Sequence, residues 1–253
     1  MGEFLSLTDI ANNIICGDCL ELLKNIPDNS IDLIITDPPY MISQKSNISR
    51  KSFGKCDLRL NFGEWDIFKS EVDYKNFTES WFRECVRILK PKSWMYVFFS
   101  KEKIGYFPLE FASKYGMNTK NIFTWIKSNI TPSIRKMNYL SSVEFIWVGS
   151  KGDSRIKNFL QQKEMVNYMI TPNSSVYGVS GHPNEKPEIL VSRFVLTSSY
   201  ENEVVLDPFI GSGTTAVVCK KLNRRYIGIE KNPEYIEMAK KRLSVIPESL
   251  FKK

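Results

Sequence analysis

Short apolar runs recur along this chain, and stretches with helical spacing separate them. The runs are "NIIC" (13–16), "IDLIIT" (31–36), "WMYVFF" (94–99), "IFTWIK" (122–127), "VEFIWVG" (143–149), "VVLD" (204–207) and "YIGIE" (226–230). Several are apolar almost without interruption, the pattern of strands covered by helices on both faces. In "NFTESWFRECVRILK", Phe77, Trp81, Cys85 and Ile88/Leu89 recur at the i, i+4 spacing of a helix with one buried face. "KPEILVSRFVLTSS", "TTAVVCKKL" and "NPEYIEMAKKRL" read the same way. Strand, helix, strand, helix in that order predicts an α/β fold built on a doubly wound, mostly parallel sheet. The 253 residues suit one large domain spanning 1–253.

Two stretches break the rhythm. Residues 41–64, "MISQKSNISRKSFGKCDLRLNFGE", are rich in Ser, Asn and Lys/Arg and lack a period. Residues 150–185 are polar and punctuated by Gly, Pro and Ser. Loops of this length inside a compact domain are usually functional or mobile.

Composition excludes several classes. No apolar run approaches the roughly 18 residues that span a bilayer, so no membrane partner is expected. The start, "MGEFLSLTDIANN", lacks the basic-then-apolar order of a signal peptide. Five cysteines, at 16, 19, 56, 85 and 219, form no disulfide framework, which points to a reducing compartment. Cys16 and Cys19 make a C-x-x-C, but a single His and no second pair leave a zinc site without ligands, and no metal is expected. The net charge of +7 favours polyanionic partners without identifying one.

The sharpest local signal is "VVLDPFIGSGTTAVVCKKL", residues 204–222. An apolar strand ends at Asp207, a Gly-x-Gly turn follows at Gly211 and Gly213, and a helix opens at Thr214. Glycines let the backbone approach a ligand, and a helix N-terminus offers free N–H groups. Ala216 in the third position satisfies the dinucleotide fingerprint, so NAD stays open. The next strand ends on Glu230, and an acid there suits a ribose diol. The residues alone therefore indicate an adenosine-type cofactor.

A second strand end carries "DLIITDPPY", residues 32–40. Taken with "DPFIGSGTT", it resembles the DNA amino-methyltransferases, in the circularly permuted motif order of their beta class. "IICGDCLELLKNIPDNSIDLIITDPPY", "FGEWD" (62–66), "TWIK" (124–127), "HPNEKPEIL" (182–190) and "VVLDPFIGSGTTAVVCKKLNRRYIGIEKNPEY" are similar to family segments in family order and cover most of the chain. The resemblance implies S-adenosylmethionine as cofactor and a Rossmann-like methyltransferase fold. Gly211, Ser212, Gly213 and Thr214 would line the methionine side, Glu230 would hold the ribose hydroxyls, and Asp18 would accept from the cofactor's adenine amine. Phe209 and Asp207 would lie close by, and Lys186 would meet the cofactor carboxylate. The usual HPTQKP reads HPNEKP here, so Asn184 and Glu185 depart from the pattern. Asp18 reads equally well as the N-cap of a helix over "LELLKNI".

The resemblance assigns catalysis to Asp37, Pro38, Pro39 and Tyr40. An exocyclic amine shares its lone pair with the ring, and acceptors for its N–H groups release that lone pair and stabilise the charge that develops. Asp37 and the Pro38 carbonyl are such acceptors, two prolines hold them in place, and Tyr40 offers a stacking surface for a flipped base. No cysteine follows a proline, which disfavours methylation of a ring carbon. Family members with Asp first act more often on adenine N6, and those with Ser first on cytosine N4.

On the partner side the resemblance implies double-stranded DNA in a bacterial cytoplasm. A cognate restriction endonuclease is a further expected partner, and the short recognition region leaves room for a second copy of the chain, a homodimer. Lys45, Arg50 and Lys51 in the 41–64 loop, with Arg135 and Lys136, are candidate phosphate contacts. Residues 150–181 occupy the place of the target-recognition region. A cytosine-N4 enzyme, an RNA or protein methyltransferase, and a DNA-binding module that has lost catalysis are the alternatives.

Overall fold

A computed structural model describes residues 6–41, 68–100, 107–130, 139–173 and 185–247. Its centre is one sheet of eight strands, in spatial order β1–β8–β7–β2–β3–β5–β4–β6. These are β1 (Asn13–Cys16), β2 (Ile31–Thr36), β3 (Leu89–Phe99), β4 (Met117–Lys127), β5 (Val143–Lys151), β6 (Tyr168–Thr171), β7 (Val204–Asp207) and β8 (Arg225–Glu230). Neighbours pair in parallel except around β5, which runs against both β3 and β4.

Helices cover both faces, as the apolar strands require. Every residue of β2 is buried. Leu33 and Ile35 face one apolar cluster, with Leu190, Val191 and Phe194 of α5 (Glu188–Ser198), Val217 of α6 (Thr214–Lys221) and Ile236 and Ala239 of α7 (Pro233–Ser244). Ile31 and Ile34 face the other, with Trp81, Phe82 and Cys85 of α3 (Glu71–Ile88) and Phe111 of α4 (Phe107–Lys114). Two short helices, α1 (Leu7–Ile10) and α2 (Cys19–Leu22), complete the set. The spacing of Phe77, Trp81 and Cys85 is thus the buried face of α3, whose first turn is capped by Ser70 accepting from the Asp73 N–H.

The expected doubly wound α/β fold is present, with three differences. β3 begins at Leu89, directly after α3, with Lys92 at φ 63° and a register shift against β2. The helix spacing of Ile88/Leu89 masks that junction. α4 and the first half of β4 lack a strong apolar pattern, and β4 shows Asn118, Thr119, Lys120 and Asn121 all exposed. Within 150–173, β5 runs on to Lys151, and β6 joins the sheet beside β4 with only Met169 and Thr171 buried. Four residues with two buried side chains carry little periodicity; long-range pairing with β4 makes them a strand.

Candidate active site

The sheet is wound so that β7 connects onward to β8 on one side, while β2 connects to β3 on the other. The gap between β7 and β2 is a topological switch point, where open α/β sheets bind ligands beyond the carboxyl ends of their strands. A cavity of about 410 Å³ opens there.

Four acids line it in a row, one at or just beyond the end of each of four adjacent strands. The register pairs Cys16 of β1 with Glu230 of β8, and Asp207 of β7 with Gly228 of β8. It also sets Ile34 of β2 beside Leu206. Asp18, Glu230, Asp207 and Asp37 therefore follow one another along the strand ends, and all line the cavity. Three strand spacings make this row about 14 Å long.

Asp18 caps α2, with its Oδ1 accepting from the Leu20 N–H at 2.9 Å, and it also stands in the cavity wall. The N-cap reading of this residue holds, and its place in the wall leaves it within the cavity. Glu230 reaches to the glycine turn: its Oε2 accepts from the Gly211 N–H at 2.9 Å and its Oε1 from the Asn232 N–H at 2.8 Å. Burial pushes its carboxyl up, against the pull of those N–H donors. Phe77 and Phe209 add aromatic wall, with ring centroids 5.9 Å apart, and Trp81 supports Phe209 edge-on at 5.7 Å.

Gly211 adopts φ 51° and Gly213 φ 85°, the left-handed region that glycine enters without strain. Gly211, Ser212 and Thr214 line the cavity. Gly213 faces α7 instead, where a Cβ would meet the Ala239 Cβ at 2.6 Å. It thus permits close helix packing beneath the turn. Asp207 likewise braces the turn, since its Oδ1 accepts from the Phe209 N–H at 3.1 Å and its Oδ2 from the Thr215 hydroxyl at 2.7 Å.

Burial raises Asp207 to about 7. Between its ordinary value of 3.8 and that value, the folded chain holds a proton that the unfolded chain has released. This contribution to stability is complete below 3.8 and lost as pH rises toward 7, at about 1.4 kcal/mol per pH unit. We expect Asp207→Asn to flatten that slope, since a neutral amide can still serve Phe209 and Thr215; urea denaturation from pH 4 to pH 7 measures it.

At the β2 end, both oxygens of Asp37 are engaged. The Tyr40 hydroxyl donates to Oδ1, and the Lys186 ammonium donates to Oδ2 at 2.5 Å. Lys186 also lies 3.5 Å from Glu144 Oε2, and Lys127 holds Glu144 Oε1 at 2.6 Å. Two carboxylates and two lysines thus alternate across β2, β4, β5 and the start of α5. Burial alone would lower Lys186, but Asp37 and Glu144 outweigh it and keep the ammonium above its ordinary value. Burial would raise Glu144, and Lys186 and Lys127 reverse that. For Asp37, burial outweighs Lys186 and the direction is upward.

The structure thus brings together Asp37, Pro38, Pro39, Tyr40, Asp18, Lys186, Asp207, Phe209, Gly211, Ser212, Thr214 and Glu230. Lys45, Arg50, Lys51, Arg135 and Lys136 lie outside the described residues, as do Asn184 and most of the 41–64 loop. Sequence reading missed Lys127 and Glu144. An acid inside the apolar run "VEFIWVG" was the available signal for Glu144. Among the described residues, no group of His, Cys, Asp and Glu could hold a metal, and no helix is long and apolar enough to cross a membrane.

Comparison with known proteins agrees with this geometry. Residues 31–241 match the family model described as DNA methylase (N6_N4_Mtase). The type II methyltransferase M.HpaI of Haemophilus parainfluenzae is 38% identical, over 91% of this chain and 73% of its own length. The type II methyltransferase M.HinfI of Haemophilus influenzae is 34% identical, over 95% and 70%. A crystal structure of an M1.HpyAVI–SAM complex superposes with a TM-score of 0.70 at 27% identity, covering 92% of this chain and 99% of that one. The cytosine-N4-specific PvuII DNA methyltransferase shares the fold, with a TM-score of 0.72 at 23% identity, covering 94% and 88%. With the family model matching residues 31–241 and two relatives above 30% identity along most of the chain, this chain belongs to the DNA methylases, S-adenosylmethionine-dependent amino-methyltransferases of the beta class.

Proposed function

We propose that this chain transfers a methyl group to the N6 amine of adenine within a specific DNA sequence, as the modification enzyme of a restriction–modification system. The observation that carries the reading is Asp37: an aspartate at the first position of the motif, held in the cavity wall with acceptor capacity left over. Each carboxylate oxygen has two lone pairs. Tyr40 and Lys186 use one on each, so both oxygens can still accept from an amine.

The residues fit the cofactor. Acceptors at Asp18 and Glu230 suit an adenine amine and a ribose diol at the β1–β8 end, Phe77 and Phe209 suit an adenine face, and the excess of acids in the wall suits a cation. When bound, S-adenosylmethionine supplies an electrophilic methyl on a sulfonium. Everything else falls to the chain. Asp37 and the Pro38 carbonyl accept the N–H groups of the target amine, free its lone pair and face the positive charge that grows on nitrogen. Tyr40 and Lys186 fix the carboxylate before the base arrives, so little reorganisation accompanies the reaction. Glu144 offsets the Lys186 charge, which would otherwise oppose the developing cation. The ammonium of Lys186 has three N–H groups, so one remains for the cofactor carboxylate.

Lys45, Arg50, Lys51, Arg135 and Lys136 are proposed to hold DNA phosphates. Supplying labelled cofactor with equal amounts of duplex DNA and RNA tests the substrate class. Label is expected in DNA, and label confined to RNA would overturn the reading.

A further inference from the structure

Arg242 stands in the last turn of α7, where a basic residue ordinarily complements the helix dipole from the surface. Here its side chain is only 10% exposed. Its guanidinium is divided between two parts of the site. Nη1 donates to the Ser212 carbonyl at 2.9 Å, the Ser212 hydroxyl at 3.2 Å and the Thr214 hydroxyl at 3.1 Å. Nη2 meets Glu185 Oε1 and Glu188 Oε1, each at 3.1 Å. One side of the fork therefore holds the glycine turn, and the other holds the segment entering α5.

Lys186 is the next residue after Glu185, and its ammonium sits on Asp37. A chain of contacts thus runs from the turn through Arg242 and Glu185 to the carboxylate that receives the target amine. Glu185 is itself buried, with its side chain 6% exposed, so its charge is matched inside the protein by the guanidinium. The planar fork can satisfy both partners at once, which a lysine could not. The acid at position 185, which departs from the family's usual Gln, gains a counter-charge that a neutral amide would not need.

We propose that Arg242 is a positioning residue for methyl transfer: it fixes the Lys186 segment against the cofactor turn, so that the two halves of the cavity keep one geometry. This rests on the proposed function. It differs from a purely structural role in acting through Lys186.

The test is a double-mutant cycle with Arg242→Met and Lys186→Met in the full chain, read as kcat per active site, with sites counted by bound labelled cofactor. Arg242→Met alone is expected to lower kcat by about tenfold to a hundredfold, as a misplaced reacting group does. In the Lys186→Met background, the same change is expected to alter kcat by no more than about twofold. Losses that multiply would overturn the proposal, because Arg242 would then act independently of Lys186. Glu185→Leu, which leaves the turn contacts of Arg242 in place, is expected to lower kcat in the otherwise unchanged chain and to alter it by no more than about twofold in the Lys186→Met background. An unchanged kcat in that variant would also overturn it. If the wild-type chain transferred no methyl to DNA, the proposed function would fail. The same cycle read as cofactor affinity by calorimetry would still decide the role of Arg242.

Discussion

Asp37→Asn is expected to lower methyl transfer to DNA by about 10²- to 10³-fold in kcat, the usual loss when one charge-stabilising partner is removed. The substitution keeps shape and removes charge. Asparagine presents one acceptor oxygen, while its amide nitrogen would meet Tyr40 or Lys186, both donors in the present arrangement. Lys186 keeps Glu144 at 3.5 Å, and Lys127 keeps it at 2.6 Å, so two lysines then face one carboxylate beside the nitrogen that must become positive. Cofactor binding, which draws on Glu230, Asp18 and the glycine turn, is expected to survive. Single-turnover transfer with labelled cofactor separates the two effects. Full activity with normal binding would sink the acceptor role of Asp37.

Gly213→Ala is expected to have the largest effect on stability. At φ 85° an L-residue is strained, at about 1–3 kcal/mol. Its Cβ would also meet the Ala239 Cβ at 2.6 Å and the Ala239 Cα at 3.1 Å, both on the close-packed face of α7. Backbone cannot rotate away as a long side chain could, so α6 and α7 must separate, at a further cost of about 1–3 kcal/mol. Separation would also draw Arg242 from Ser212 and Thr214. Urea denaturation should show a combined loss of about 2–6 kcal/mol. Calorimetry should show weaker cofactor binding in the fraction that remains folded.

The parts that were legible in the sequence have local causes. β2 and β7 occupy the residues that their runs marked, because strands buried along their whole length are mostly apolar; β1 does so too, although at the sheet edge it leaves Asn13 and Cys16 exposed. The glycine turn and the D-P-P-Y tip were legible because positive φ and rigid φ restrict which residues can be used. Glu230 could be named because it ends an apolar run after the glycine turn, while Asp18 and Asp207 came from the resemblance. The missed parts depend on register between distant segments. Lys127 and Glu144 meet because β4 and β5 pair antiparallel with Trp125 opposite Glu144. Nothing within either strand specifies that pairing. Tyr40 read as a stacking ring, and its hydroxyl proves to be tied to Asp37. Nothing in the sequence marked Arg242; its bonds come from the approach of α7 to both the turn and the segment entering α5.

Mass analysis of nucleosides from DNA methylated by the purified chain tests the central claim most directly. N6-methyladenine is the expected product. N4-methylcytosine would contradict the assignment drawn from Asp37, and the absence of any methylated nucleoside, with cofactor bound, would contradict the enzyme itself.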